Sequence, residues 1–234
     1  MLTDELLAYI FDGQTHLLVP QFADWMASSA RFRAFAETYR AKIRKKVRGA
    51  GDAEGISDLR FELEVAYVLL QERRFTLEYE KYGAGKQRGP DFTVTFKTRI
   101  PFNVEVKRLR AGTLFSKLPD IVCDKIGQLP PGMINILFVA AGSVDRADRD
   151  VAQAMARLKD RIDHKDADFF VRRGFGGLPI FLRHYRRLSG VVVQSSGDRR
   201  EGSALWVNPQ AKHQIPRDLH VLLCKWGAQA PPPH

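Results

Sequence analysis

The sequence predicts an α/β protein with a mixed sheet flanked by helices, and three observations carry that prediction. Residues 133–142 (MINILFVAAG) form a near-continuous apolar run, the mark of a central strand buried on both faces. Residues 91–97 and 102–109 alternate apolar and polar around a short link, the period of a hairpin. From Ser57 the elements run helix, strand, strand, strand, helix, strand, which layers as an α/β sandwich.

The elements follow in order. Residues 4–11 and 21–29 read as short helices. Residues 31–48 read as one amphipathic helix, with Phe32, Phe35, Tyr39, Ile43 and Val47 at helical spacing. GAGDAEG (49–55) breaks the chain, and Ser57 or Asp58 then caps a helix to about Arg73. FTLEYE (75–80) alternates as a strand, and the hairpin follows. Pro119 opens a helix that Pro130, Pro131 and Gly132 end, before the apolar strand. Beyond it come a helix at 148–163, a glycine turn and helix in GFGGLPIFLRHYRRLSG, strands in GVVVQSS and ALWVNP, and a closing helix at 216–226. The 229–234 tail reads as disordered. No repeat or long linker separates independent domains, so 1–56 is expected as a helical segment packed on a 57–145 core, and 146–228 as an α/β extension of the same domain.

With 234 residues, the chain can bury a sizeable core. No apolar run is long enough to span a bilayer, and the N-terminus carries acids where a signal peptide needs positive charge, so a cytoplasmic protein is expected. Cys123 and Cys224 fit no zinc spacing or disulfide framework and read as ordinary thiols. The net charge of +10 points to a polyanionic partner, most commonly nucleic acid. Residues 31–48 hold eight Lys/Arg against Glu37 alone, and residues 169–197 hold five Arg and no acid. Arg44, Lys45 and Lys46 in the first patch, Arg183, Arg186 and Arg187 in the second, and Arg108, Arg110 and Lys125 are the candidate nucleic-acid contacts; a solvated helix face is the plainer account of each patch.

The hairpin carries the chemistry. If Lys97–Pro101 form a five-residue turn, Phe96 pairs with Phe102, Thr93 lies opposite Glu105 and Asp91 opposite Lys107. The apolar side chains then share one face and Asp91, Glu105 and Lys107 the other. Asp91 and Glu105 become diagonal neighbours, roughly 7–8 Å apart at the backbone. Two such carboxylates repel unless a cation lies between them, and an all-oxygen site suits Mg²⁺ or Mn²⁺. Lys107 is placed to orient a water or to stabilise charge on phosphorus. Glu62 shares a helical stripe with Val65, Ala66, Leu69 and Leu70, where a carboxylate needs a partner; it is a candidate third ligand or a capping-box glutamate. Lys125 and Gln128 share a face of the next helix, as contacts for a phosphate or water or as a solvated face.

Glu62 on a helix, Pro90-Asp91 opening a strand, and Glu105-Val106-Lys107 in the next strand together resemble the PD-(D/E)xK nuclease superfamily. The resemblance covers about residues 57–142 and implies the restriction-endonuclease-like αβββαβ core. It implies that Asp91 and Glu105 bind Mg²⁺ or Mn²⁺ with the Val106 carbonyl, that Glu62 supports the metal, and that Lys107, with Gln128 nearby, serves the attacking water. The expected reaction is hydrolysis of phosphodiester bonds, in DNA before RNA, and a homodimer or partner subunit is compatible with it. A nucleic-acid-binding subunit without catalysis, or an interaction subunit of a host-defence or repair complex, are the alternatives. The histidines form no metal pattern, RRGFGGLP lacks the strand a phosphate loop needs, and Trp206 reads as core.

Overall fold

The computed structural model describes residues 2–82, 89–110, 113–141, 147–195 and 203–225. The chain divides into two compact units, Met1–Tyr79 and Glu80–His234.

The first unit is helical: α1 (Thr3–Ile10), α2 (Val19–Ser28), α3 (Ala30–Thr38), α4 (Arg40–Gly49) and α5 (Ala53–Gln71), then strand β1 (Phe75–Tyr79). The helix expected over 31–48 is two helices. Tyr39 leaves helical geometry (φ −104°, ψ 17°), and the turn lets both α3 and α4 pack on α5. The apolar spacing could not show this, because each half keeps its own buried stripe. The break before α5 is shorter than GAGDAEG suggested. Asp52, not Ser57 or Asp58, caps α5, its carboxylate accepting the Gly55 N–H at 2.6 Å. Glu62 therefore lies mid-helix, which removes the capping-box account of it. Packing on α3 and α4 also groups α5 with the N-terminal helices. The interior is aromatic, with Phe22, Trp25, Phe32, Phe35 and Tyr67 buried and in edge, tilted or stacked contact.

The second unit is α/β, an open mixed sheet flanked by helices. Strands β2 (Phe92–Phe96), β3 (Ile100–Arg108), β4 (Ile134–Ala141), β5 (Gly190–Ser195) and β6 (Ser203–Val207) lie side by side in chain order. β2/β3 and β5/β6 are antiparallel; β3/β4 and β4/β5 are parallel. The two parallel pairs need crossovers, supplied by α6 (Leu114–Ile126) and by α7 (Ala147–Asp163), α8 (Ala167–Val171) and α9 (Leu178–Tyr185). A last helix, α10 (Arg217–Lys225), packs on β6. α6 starts five residues before Pro119, because Thr113 caps it by accepting the Ser116 N–H at 3.3 Å. The short α8 had no periodic signal long enough to read. β4 is buried at every residue, as its apolar run required. Leu118, Val122 and Ile126 of α6 pack with Leu137, Val139, Val191 and Val193 of the sheet. Among the described residues no helix is long and apolar enough to cross a membrane.

The hairpin register differs from expectation by two residues. Phe96 pairs with Ile100 and Thr93 with Asn103, so the turn is Lys97–Arg99, with Lys97 and Thr98 at positive φ (49° and 60°). The faces survive, because a two-residue slip preserves the pleat. A row of polar residues runs across the sheet in the observed register. Thr93, Asn103 and Asn135 lie side by side on β2, β3 and β4, and Ser189 just before β5 and Asn208 just after β6 continue the row, each at most 2% exposed. Thr93 Oγ1 donates to Asn103 Oδ1 (3.0 Å), and Asn103 Nδ2 donates to Asn135 Oδ1 (2.9 Å). The Asn135 N–H donates to Ser189 Oγ (3.1 Å), and the Asn208 N–H to the Ser189 carbonyl (3.0 Å). The Asn135 amide also donates to the Pro130, Met133 and Arg187 carbonyls, closing the belt onto two loops.

Candidate metal and nucleic-acid site

One row along from the polar belt, on the same face, lies Glu105. It is 2% exposed and sits beneath α6, whose Lys125 ammonium pairs with Glu105 Oε1. Lys125 is thus neither on a solvated face nor a bare phosphate contact; it compensates a buried carboxylate, which would otherwise be costly. Its side chain keeps 20% exposure, so it reaches the carboxylate from the rim.

Asp91 follows from the register. Continuing the β2/β3 pairing by one residue sets Asp91 directly across from Glu105, not diagonal to it. The Leu109 N–H bonds the Ala140 carbonyl (2.7 Å), so odd-numbered residues of β3 turn their backbone groups to β4. Position 105 is therefore a non-hydrogen-bonded pair position on the β2 side, where facing side chains come closer. Val106 turns the other way. Its N–H donates to Asp91 Oδ2 at 2.8 Å, and a residue's N–H and C=O point to the same side of a strand. The Val106 carbonyl therefore projects toward the edge that Asp91 occupies. Lys107, half-buried, follows on the Glu105 face.

These donors fit a hard divalent cation. Two carboxylates and a backbone carbonyl are all-oxygen chemistry, and Lys125 shows that Glu105 already holds a positive charge. No group of three or more His, Cys, Asp or Glu side chains suited to a metal forms among the described residues. The Val106 carbonyl and water are the further oxygen donors such an ion would find there.

The other expected residues fall differently. Glu62 belongs to the first unit. It faces inward as its stripe predicted, 15% exposed, and its Oε1 takes the Lys46 ammonium (2.5 Å) and the Tyr79 hydroxyl (2.5 Å). Lys46 also lies over the Tyr79 ring, 4.9 Å from its centroid. Gln128 lies just past the end of α6, half-buried, its N–H on the Lys125 carbonyl (3.0 Å). Arg108 ends β3 half-buried and Arg110 follows exposed.

The basic patches divide on closer view. Arg44 pairs with Asp12 and stacks over Tyr9, 4.7 Å from the ring centroid; Lys46 is taken by Glu62; Lys45 is exposed. Asp12 is held well below the usual carboxylate range by Arg48 and then Arg44. Arg187 donates to the Leu129 carbonyl (3.1 Å) and so braces the loop after α6, whereas Arg183 and Arg186 are exposed. Sequence reasoning missed the polar belt and Lys212. An asparagine inside the apolar run 133–142, and another two residues before Glu105, were the available signals for the belt. Trp206 packs against the core, as expected. Comparisons with protein-family models, curated proteins and solved structures return no match for this chain.

Proposed function

We propose that the protein is a metal-dependent nuclease that hydrolyses phosphodiester bonds in DNA, with Asp91, Glu105 and the Val106 carbonyl holding Mg²⁺ or Mn²⁺. The carrying observation is the Asp91–Val106 hydrogen bond, which ties one carboxylate to the backbone beside the other. A divalent ion bound there supplies positive charge to the scissile phosphate and lowers the pKa of a coordinated water. The chain's own groups do the rest. The Val106 N–H fixes the Asp91 carboxylate against rotation, and the sheet fixes Glu105 across from it. Lys107 Nζ donates to the attacking water or to a non-bridging phosphate oxygen, offsetting charge that grows as the water oxygen bonds to phosphorus and the bond to the leaving sugar oxygen breaks; the water's proton passes to solvent and the leaving oxygen takes one from solvent. Lys125 pairs with Glu105 and would share that carboxylate with a bound metal. Glu62 and Gln128 have no direct step in this scheme.

The test is incubation with supercoiled plasmid and labelled single-stranded DNA in Mg²⁺, Mn²⁺ or EDTA, beside Asp91→Ala and Lys107→Ala. Metal-dependent cutting lost in both variants supports the scheme. Absence of cutting, together with absence of Mg²⁺ or Mn²⁺ binding, overturns it.

One observation favours a second reading. Glu105 is buried and already neutralised by Lys125, as a structural ion pair would be. On that reading the fold is a nucleic-acid-binding subunit without catalysis, and it binds DNA in EDTA but never cuts.

A further inference from the structure

A concavity of about 860 Å³ in the second unit is lined by Pro179, Leu182, Arg183, Arg186, Gln210 and Lys212. It has three cations and no carboxylate. Several other arginines of this unit are tied down: Arg173 to Asp120, Arg161 to Asp166, and Arg187 to the Leu129 carbonyl. Arg183, Arg186 and Lys212 are exposed and form no ion pair with a carboxylate among the described residues. Three like charges held together without a counter-charge repel one another in the free protein, and an anion that meets them relieves that repulsion.

The three are held on a built frame. Arg183 and Arg186 stand three residues apart, at the end of α9. Lys212 comes from the loop after β6, and its N–H bonds the Arg186 carbonyl at 2.8 Å. That loop is locked by Asn208, whose amide donates to the Tyr185 (3.0 Å) and Leu188 (2.8 Å) carbonyls. The Gln214 amide closes it on the Ala211 carbonyl at 3.0 Å. Helix α9 of this frame also touches the end of α6. Gly127, the cap of the helix that carries Lys125, lies against His184 of α9: a Cβ there would meet His184 Nδ1 at 3.7 Å. Burial, then Arg187 and Arg183, lower the His184 pKa, as a region of positive potential does.

We infer that Arg183, Arg186 and Lys212 form a phosphate-backbone track that holds nucleic acid on the same unit as the Asp91/Glu105 site. The identity of the polyanion rests on the nuclease reading; the track itself does not. Pro179 and Leu182 line the same concavity as the exposed cations, and apolar lining beside cations suits a sugar–phosphate strand, whose charges sit on its outer edge and whose sugars do not. The contacts carry no base readout, so the track sets position rather than sequence.

The experiment measures fluorescence anisotropy of labelled duplex and single-stranded DNA with the full chain in EDTA, across a salt series. Arg183→Ala/Arg186→Ala/Lys212→Ala is compared with wild type and with Lys117→Ala/Arg149→Ala/Arg99→Ala, which removes equal charge elsewhere on the unit. The track predicts that log K against log[salt] flattens by about 2–3 on duplex, with affinity lower on the order of 100-fold near 0.1 M salt. The control variant keeps nearly the wild-type slope. Circular dichroism confirms folding of both. Equal slopes for all three proteins overturn the track, as does binding of phosphatidylserine vesicles in place of DNA. A slope lost in the track variant from a protein that never cuts sinks the nuclease reading and leaves the track standing. Cutting that proceeds with unchanged slopes does the reverse.

Discussion

Replacing Lys125 by methionine keeps the length of the side chain and removes its charge. Glu105 then keeps a carboxylate whose side chain is 3% exposed, without the ammonium that now pairs with it. Breaking a fully buried ion pair by removing one partner costs about 3–5 kcal/mol. Lys125 is 20% exposed, so water can reach part of the vacated position, and about 2–4 kcal/mol is the appropriate range. With a urea dependence of about 2 kcal/mol per molar, the denaturation midpoint should fall by about 1–2 M at neutral pH in EDTA. Lys125→Met/Glu105→Gln should recover more than half of that loss, since no charge remains buried. Far-UV circular dichroism against urea reads all three proteins. A Lys125→Met midpoint within about 0.3 M of wild type, or a double variant as weak as the single, would refute the reasoning. The same curves test the link to metal. About 10 mM Mg²⁺ should raise the midpoint of Lys125→Met more than that of wild type, because the ion meets no competing ammonium at Glu105.

Other consequences can be measured directly. Asn135→Ala leaves three carbonyls and the Asn103 amide short of a partner and should cost about 2–4 kcal/mol, read as a lower melting temperature. Asp12, held low by Arg48 and Arg44, has a folded-state pKa below its unfolded value. Its stabilisation is therefore complete above the ordinary carboxylate range and is lost as pH falls toward the folded value. Asp12→Asn should accordingly melt lower than wild type at pH 7, with the gap closing on acidification. Burial pushes the Cys123 thiol up to about 12, while Cys224 is exposed. Iodoacetamide near pH 8 should therefore modify Cys224 alone until urea exposes Cys123. Lys107→Ala should reduce metal-dependent cleavage by about 10²–10⁴-fold with little change in melting temperature.

The sequence showed the elements wherever hydrophobic periodicity alone decided them. The buried β4, the alternating hairpin and the inward stripe of Glu62 on α5 all belong to that class. It misled where a single local contact decided. Tyr39 divides one amphipathic stretch into two helices, and nothing in the spacing of Phe32, Phe35, Ile43 and Val47 marks the turn. Asp52 and Thr113 cap helices that seemed, on composition, to start at Ser57 or Asp58 and at Pro119. At the site, parity was legible and distance was not. Alternation placed Asp91, Glu105 and Lys107 on one face, but it left a choice between registers two residues apart. The pairing of Lys125 with Glu105 was out of reach, since it depends on how α6 crosses the sheet.

Parity and register are guarded by different parts of the hairpin. A one-residue slip of β2 along β3 would turn Phe92, Val94 and Phe96 outward, so hydrophobicity alone forbids it. A slip of two residues, about 7 Å, keeps that burial pattern and returns another threonine, Thr95, to Asn103. The polar belt is blind to that slip; the turn Lys97–Arg99 and the Asp91–Val106 bond are not. Moving β2 that far would carry Asp91 from Glu105 to Lys107. Two facing carboxylates would become an internal salt bridge, with the fold nearly intact. The tight turn at the far end of the hairpin thus decides which charge Asp91 meets.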